Sequence, residues 1–374
     1  MKIVVITAAT NSIPRFRIDM IDEFVCRGAE VVVFGDESGS EWNGYFSRHN
    51  VKYRSYQVSR NGMNPAADIA TLKALKRLLD EEKPDKVWTY QAKPNIYGSI
   101  AAHQSGIPEI YVMMGGLGSV FRAGDLKSRV VRAIVAAEYR YAMRFAKTVF
   151  FQNHDDVGVF ESLRILSRGK AVLTHGSGVN ISHFSFCQLP DSMRFLFVGR
   201  LVRGKGIMDY LYAARIVKKV HPEVAFDVVG PFDTNPTGIK SEELQPYVDD
   251  GIVTFHGEQR DVLPFLINSS VFVLPSYYGE GTPKSALEAM AVGRPLIVAD
   301  AVGCREVVDE GYNGFLVPPK NPGALSRAMI NLIENDELRK KMGAASRKMA
   351  EMTFDVVKVN EVICHAMGIK DEDE

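Results

Sequence analysis

The sequence predicts an α/β fold of two doubly wound, parallel-sheet halves facing one another across a cleft. Three observations carry this. The chain has 374 residues, beyond the size at which a single hydrophobic core keeps growing. Near-continuous Val/Ile/Phe runs alternate with helical patterns, as expected of strands buried on both faces and joined by helical crossovers. The rhythm then restarts near residue 192, after the aperiodic stretch FSFCQLPD at 184–191.

In the first half the strand-like runs are 2–7, 30–34, 86–90, 109–114 and 148–152. In the second they are 193–198, 225–229, 252–256, 271–275, 295–299 and 314–317. The boundaries expected from this pattern are 1–188 for the first domain and 189–353 for the second. A helix over 354–370 is expected to pack back on the first, and the acidic residues 371–374 form a frayed end. Ligands of open parallel sheets bind in loops that follow strand carboxyl ends, so those loops are where chemistry is sought.

Composition narrows the class. Hydrophobic residues at 46% and charged residues at 24% fit a soluble globular enzyme. Lys+Arg and Asp+Glu both count 45, so bulk charge offers nothing to nucleic acid. Cys26, Cys187, Cys304 and Cys364 are scattered without a CxxC pair; they make neither a zinc site nor a disulfide framework and indicate a reducing cytoplasm. The opening MKIVVI is too short for a signal-peptide core and is soon followed by Asn11, Arg15 and Arg17. No apolar run spans a bilayer. A cytoplasmic protein is expected, at most peripheral on the inner face of the plasma membrane.

The most informative segment is YYGEGTPKSALEAMAVGRP at 277–295. Gly279, Gly281 and Pro283 keep Glu280 in a loop, SALEAMA reads as helix, and Gly293 with Pro295 stops it. One carboxylate precedes the helix N-terminus and the other, Glu288, lies a turn inside. Unpaired backbone N–H groups and the positive end of the helix dipole share that space. The combination suits a ligand with an anionic group and several hydroxyls, such as a sugar nucleotide. A lone glutamate at a helix start would mean little.

A second motif, FLFVGRLVRGKG at 195–206, is a strand entering a glycine-rich loop. Its spacing is close to a Walker A loop, but the Ser/Thr that would hold Mg²⁺ is replaced by Gly206. Arg200 and Lys205 remain, able to neutralise a diphosphate without metal. The bland alternative, two solvated loop cations, weakens once the Glu280/Glu288 segment is set beside them. Asp371 and Asp373 form the only Asp-x-Asp, in the tail, and the histidines show no HxxxH spacing. Metal-independent chemistry is expected, with no cofactor beyond a nucleotide-sugar co-substrate.

The motifs GRLVRGKG and EGTPKSALE strongly resemble those of the retaining GT-B glycosyltransferases of family GT4, whose E-x7-E signature is matched by Glu280 and Glu288. The likeness covers nearly the whole chain and is most specific in 194–320. It implies a hexosyltransferase with a nucleoside-diphosphate sugar held by the second half. Arg200 and Lys205 would take the diphosphate, Glu280 the hydroxyls of the transferred sugar and Glu288 the ribose. Arg200, Lys205 and Glu280 are thereby the implied catalytic set. Gly199, Gly281, Thr282, Pro283, Lys284 and Ser285 would complete the donor site, Lys284 as an extra cation.

In the first half, YQAKPNIYG at 90–98, MGGLGSVF at 114–121, VSRNGMNP at 58–65 and IPRFR at 13–17 resemble the bacterial GT4 subgroup that extends glycans on undecaprenyl diphosphate for O-antigen, capsule or protein glycosylation. The resemblance implies a lipid-diphosphate-linked acceptor and a UDP-linked donor, with GDP-mannose as the alternative. Arg17, Arg60, Lys93, Asn95, Gly118 and Ser119 are the candidate acceptor residues, the three cations in loops expected to face the cleft. Arg129, Arg132, Arg140, Arg144 and Lys147 form a loose basic stripe over 127–147, with Val130, Ile134, Tyr141 and Phe145 nearby. Such a face suits an anionic leaflet or is simply a solvated helix surface.

The resemblance further implies retention at the anomeric carbon. No carboxylate pair for a double displacement is evident, so same-face attack assisted by the leaving diphosphate is expected. His103 lies on a helix before the 115–118 glycine loop, and no catalytic histidine is assigned. Three rivals stay open. A dinucleotide oxidoreductase would need a G-x-G-x-x-G fingerprint, which TAATNS at 7–12 lacks. A non-catalytic lipid-glycan-binding subunit would bind UDP-sugar without turnover. A sugar-nucleotide epimerase would convert donor with no acceptor present.

Overall fold

The structure is a computed structural model that describes residues 1–59, 62, 64–117, 121 and 126–370. It divides into two compact units, 1–177 with 358–374, and 178–357. The first holds a seven-stranded parallel sheet: β1 (Lys2–Thr7), β2 (Glu30–Gly35), β3 (Val51–Ser55), β4 (Lys86–Tyr90), β5 (Glu109–Met113), β6 (Thr148–Phe151) and β7 (Ala171–Leu173), in the order β3-β2-β1-β4-β5-β6-β7. The second holds six: β8 (Arg194–Val198), β9 (Ala225–Val229), β10 (Thr254–Phe255), β11 (Val271–Leu274), β12 (Leu296–Ala299) and β13 (Gly314–Val317), in the order β10-β9-β8-β11-β12-β13. Every pairing between these strands is parallel. Each sheet reverses its winding once, between β1 and β4 and between β8 and β11. Loops leaving such neighbours diverge to opposite faces and open a crevice at the carboxyl ends.

The central strands are buried on both faces, Val4, Val5 and Ile6 in β1 and Phe195, Leu196 and Phe197 in β8 being fully covered. The expected boundary at 188 moves to Ser177/Gly178. Residues 178–191 lack regular structure, yet Val179 and Phe184 are anchored in the second core. The terminal helix Val356–Met367 inserts Val359, Ile363, Cys364 and Met367 among Ile3, Val5 and Phe24 of the first core.

The sequence pattern misses β3 and β7, the two edges of the first sheet. An edge strand has one unpaired side and need not be apolar throughout. In β3, Lys52 and Arg54 alternate with buried Val51 and Tyr53. Their cations meet Glu82, the last residue of helix Pro65–Glu82: Lys52 Nζ lies 2.6 Å, Arg54 Nη1 2.8 Å and Lys2 Nζ 3.4 Å from its carboxylate. Burial alone would raise this carboxyl, but the cations outweigh it and hold the pKa at about 2, against 4.5. A depressed acid stabilises the fold above its unfolded pKa and loses that contribution as pH falls through the folded one. The Tm advantage of wild type over Glu82→Gln is therefore expected to be constant above pH 4.5 and to vanish by about 2; thermal melts across that window check it.

Candidate active site

The site is built where the second sheet reverses. β8 ends at Val198, and the loop 199–202 leads through a 3-10 turn, Arg203–Lys205, into helix Ile207–Lys218. Its neighbour β11 feeds the loop 275–283 and helix Lys284–Val292. The loops are joined by their backbones, Tyr277 N donating to the Gly204 carbonyl at 2.8 Å. Gly206 adopts φ +78, and a Cβ there would stand 2.1 Å from the Pro275 carbonyl oxygen. That contact explains why no Ser/Thr can follow Lys205, and so why the loop departs from an ATPase pattern. Gly303 (φ +79) does the same below the acidic loop, where a Cβ would meet the Glu280 and Gly281 carbonyls at 2.4 and 2.3 Å.

This scaffold brings the two motifs into contact. Lys205 Nζ lies 2.5 Å from Glu280 Oε1, and Ser276 Oγ donates to the same oxygen at 2.8 Å. Burial would raise the Glu280 carboxyl, yet Lys205 overrides it, with help from Ser276 and the nearby Arg200, and the pKa falls below the usual carboxylate range. Arg200 donates to Asp233 Oδ2 at 2.6 Å and lies 5.5 Å from the Tyr278 ring centre. Burial opposes its charge, but Tyr278 and Asp233 more than compensate and raise its pKa. Glu288 is buried one turn into its helix, Thr282 is buried, and Ser285 Oγ donates to the Val198 carbonyl at 3.2 Å. Gly199 N donates to the Val229 carbonyl, fixing the start of the glycine-rich loop beside β9. Ser276, Tyr278 and Asp233 were not anticipated; Asp233 follows β9 and no spacing in the sequence links it to Arg200.

Four expectations are corrected. Lys284 is not an open cation at the helix entrance: it is buried, and its ammonium donates to the Gly178 carbonyl at 2.7 Å. Arg17 is not a surface cation. The segment 13–17 forms a short helix, Ile13–Phe16, and Arg17 at its end is only 2% exposed. Lys93 is neutralised by Asp68 at 2.6 Å, both side chains being largely covered. Asn95 is buried and occupied internally, accepting from Thr89 Oγ1 at 2.9 Å and donating to the Met113 carbonyl at 2.9 Å. Arg60, Gly118 and Ser119 lie outside the described residues. The basic stripe is also broken, because helix Leu126–Ala142 ends before Arg144 and Lys147. Arg140 is turned to the Leu163 and Arg164 carbonyls and Lys147 pairs with Glu109. Among the described residues no cluster of three His, Cys, Asp or Glu side chains has the geometry of a metal site.

The family described as glycosyl transferases group 1 matches residues 187–349, and the glycosyl transferase 4-like domain matches residues 18–171. The chain is a GT4 glycosyltransferase of the GT-B fold. As such it is a hexosyltransferase, and the loops holding Arg200, Lys205 and Glu280 fall inside the group 1 match. A relative from Campylobacter jejuni, N,N'-diacetylbacillosaminyl-diphospho-undecaprenol alpha-1,3-N-acetylgalactosaminyltransferase, is 28% identical over 353 residues, 91% of each chain. The Escherichia coli UDP-Gal:alpha-D-GlcNAc-diphosphoundecaprenol alpha-1,3-galactosyltransferase is 25% identical over 310 residues, 78% of this chain and 77% of the relative. Among solved structures, Anabaena HepE in complex with UDP-glucose superposes with a TM-score of 0.78 at 18% identity, covering 98% of this chain and 99% of that one. At that identity the likeness speaks for the fold of this glycosyltransferase.

Proposed function

We propose that the enzyme transfers a hexose or N-acetylhexosamine from a UDP-linked sugar to a lipid-diphosphate-linked glycan, with retention and without metal, in surface-glycan synthesis. The observation that carries this is the 2.5 Å contact between Lys205 and Glu280, which unites a diphosphate-reading cation with a hydroxyl-reading acid at the reversal of the second sheet. Arg200 and Lys205 supply the positive charge that stabilises diphosphate as the glycosidic bond breaks. Glu280 and Glu288 accept from hydroxyls of the sugar and ribose. The acceptor class follows from the two undecaprenol-linked relatives, of which the first is similar over nearly its whole length.

The decisive experiment incubates purified enzyme with UDP-N-acetylgalactosamine, UDP-N-acetylglucosamine, UDP-galactose or GDP-mannose and undecaprenyl-diphosphate-linked sugars. Transfer from a UDP-sugar with an α-linkage retained in the product, unaffected by EDTA, is expected. Transfer from GDP-mannose alone would replace the donor assignment, and donor binding with no transfer to any acceptor would sink the reading.

A peripheral contact with the acceptor's membrane belongs to the same proposal. No helix among the described residues is long and apolar enough to cross a bilayer. Helix Leu126–Ala142, however, exposes Val130 (56%), Ile134 (43%) and Tyr141 (50%) at helical spacing, with Arg129 and Arg144 exposed at either end. Apolar side chains flanked by cations fit an anionic lipid surface. Ile134→Glu is expected to reduce co-sedimentation with phosphatidylglycerol vesicles roughly tenfold while leaving UDP affinity intact; unchanged sedimentation would remove the helix from the proposal.

A further inference from the structure

The first sheet reverses between β1 and β4 as the second does between β8 and β11, and a buried charge sits there with no counter-ion. Trp88 and Tyr90 share one face of β4 because strand side chains alternate. Arg17, which caps the short helix after β1, lies across both, its guanidinium 5.4 Å from the Trp88 ring centre and 4.8 Å from that of Tyr90. It is 2% exposed, and among the described residues no carboxylate pairs with it. Burial lowers its pKa, with the Tyr90 hydroxyl a partial offset. Arg17 Nε and Trp88 Nε1 are both buried donors without an acceptor. Gly115, at the start of the loop after β5, approaches the Tyr90 ring so closely that a Cβ would stand 3.2 Å from Cε2.

A buried cation without a counter-ion is costly, and the unpartnered Arg17 Nε and the Trp88 indole N–H add to that cost. Cation–π contact with the two rings recovers part of it. A buried polar group left unsatisfied calls for an explanation, and an anion that completes it is one. The buried Arg294 shares an unpartnered Nε, but its Nη atoms donate to the carbonyls of Ser269, Gln188 and Val292. Arg17 has no such set of carbonyls.

We propose that Arg17, with Trp88 beside it, is an anion anchor at the carboxyl edge of the first sheet that receives an oxyanion of the acceptor's diphosphate. This rests on the acceptor class proposed above and assigns the group within the acceptor that the first unit recognises. A planar guanidinium meets a phosphate oxygen pair with two parallel hydrogen bonds. The indole N–H supplies a further donor. The acceptor would thus be held by its charged headgroup, which is common to glycans of different length.

Trp42 and Trp88 are the two tryptophans, so Trp42→Phe protein reports Trp88 alone. Geranyl diphosphate and inorganic pyrophosphate are expected to change its fluorescence saturably, while geraniol does not. Adding Arg17→Met should weaken the half-saturation of both diphosphates roughly tenfold or more and raise the acceptor KM with kcat largely kept. Arg17→Lys should restore part of the response, and UDP affinity, set in the second unit, should stay at the wild-type value. A response to geraniol equal to that of geranyl diphosphate, or equal half-saturation in Arg17→Met and wild type, would overturn the anchor. The Trp42→Phe titration does not depend on whether Arg17→Met folds, and its silence alone is sufficient to reject the proposal. A saturable diphosphate response without sugar transfer to any lipid acceptor would reject the functional reading and keep the anchor; transfer with an unaltered acceptor KM in Arg17→Met would do the reverse.

Discussion

Glu280→Gln is expected to bind UDP more tightly than wild type while losing most of its sugar transfer. Lys205 pairs with Glu280 at 2.5 Å, so an incoming diphosphate competes with a carboxylate for the same ammonium. The amide keeps the shape and can still accept from Ser276 Oγ, now 2.8 Å away, but it no longer neutralises the lysine. Charge-assisted hydrogen bonds contribute about 1.5–3 kcal/mol. Part of that is retained by the amide, so a gain of roughly threefold to tenfold in UDP affinity is reasonable. The sugar hydroxyls meanwhile lose an ionised acceptor where orientation matters, and turnover should fall on the order of 10²-fold. Calorimetry with UDP and a transfer assay give the two numbers separately. Weaker UDP binding in the variant would show that Glu280 does not restrain Lys205.

Lys205→Ala should remove on the order of 10²–10³-fold of turnover, because the leaving diphosphate loses its nearest cation. The same substitution leaves Glu280 buried beside Ser276, with Arg200 as the remaining positive influence. Breaking one side of a covered ion pair typically destabilises by a few kcal/mol, mostly through the charge left behind. The double variant Lys205→Ala/Glu280→Gln is therefore expected to regain Tm over the single variant without regaining transfer. Recovery of turnover in the double variant, or wild-type turnover in Lys205→Ala, would exclude the lysine from charge stabilisation.

Much of this architecture is written in the order of residues. The strands of the second sheet read clearly because they lie between helices on both faces and are apolar throughout, as VFVL and LIVA show. β3 and β7 did not, because an edge strand may carry Lys52 and Arg54 and still pair along its other side. The meeting of Lys205 with Glu280 was legible for a related reason: glycine and proline are forced by backbone geometry, and the acids and cations between them lie on loops whose strands are neighbours. The surroundings of Arg17 and Lys93 were not legible, because a cation after a strand reads as exposed whatever later packs over it. For Arg17 an intervening short helix turns the side chain onto Trp88 and Tyr90, and for Lys93 the partner Asp68 lies in a separate helix that sequence spacing does not connect. Asp233 escaped notice for the same reason.

The chain enters and leaves the second unit at one place. Val179 N donates to the Phe354 carbonyl at 2.7 Å, and Val356 N returns to the Val179 carbonyl at 3.0 Å. Gly178 (φ +69) lies so close that a Cβ would meet Val356 Cα at 2.6 Å. Residues 178–357 are thus an insertion whose ends already touch, carried in a host formed by everything before and after it. Because 178–179 and 354–356 touch, a short bridge suffices to join the flanks once the insert is excised. On the function proposed above, donor preference would travel with that insert as a cassette, exchanged by a two-point splice.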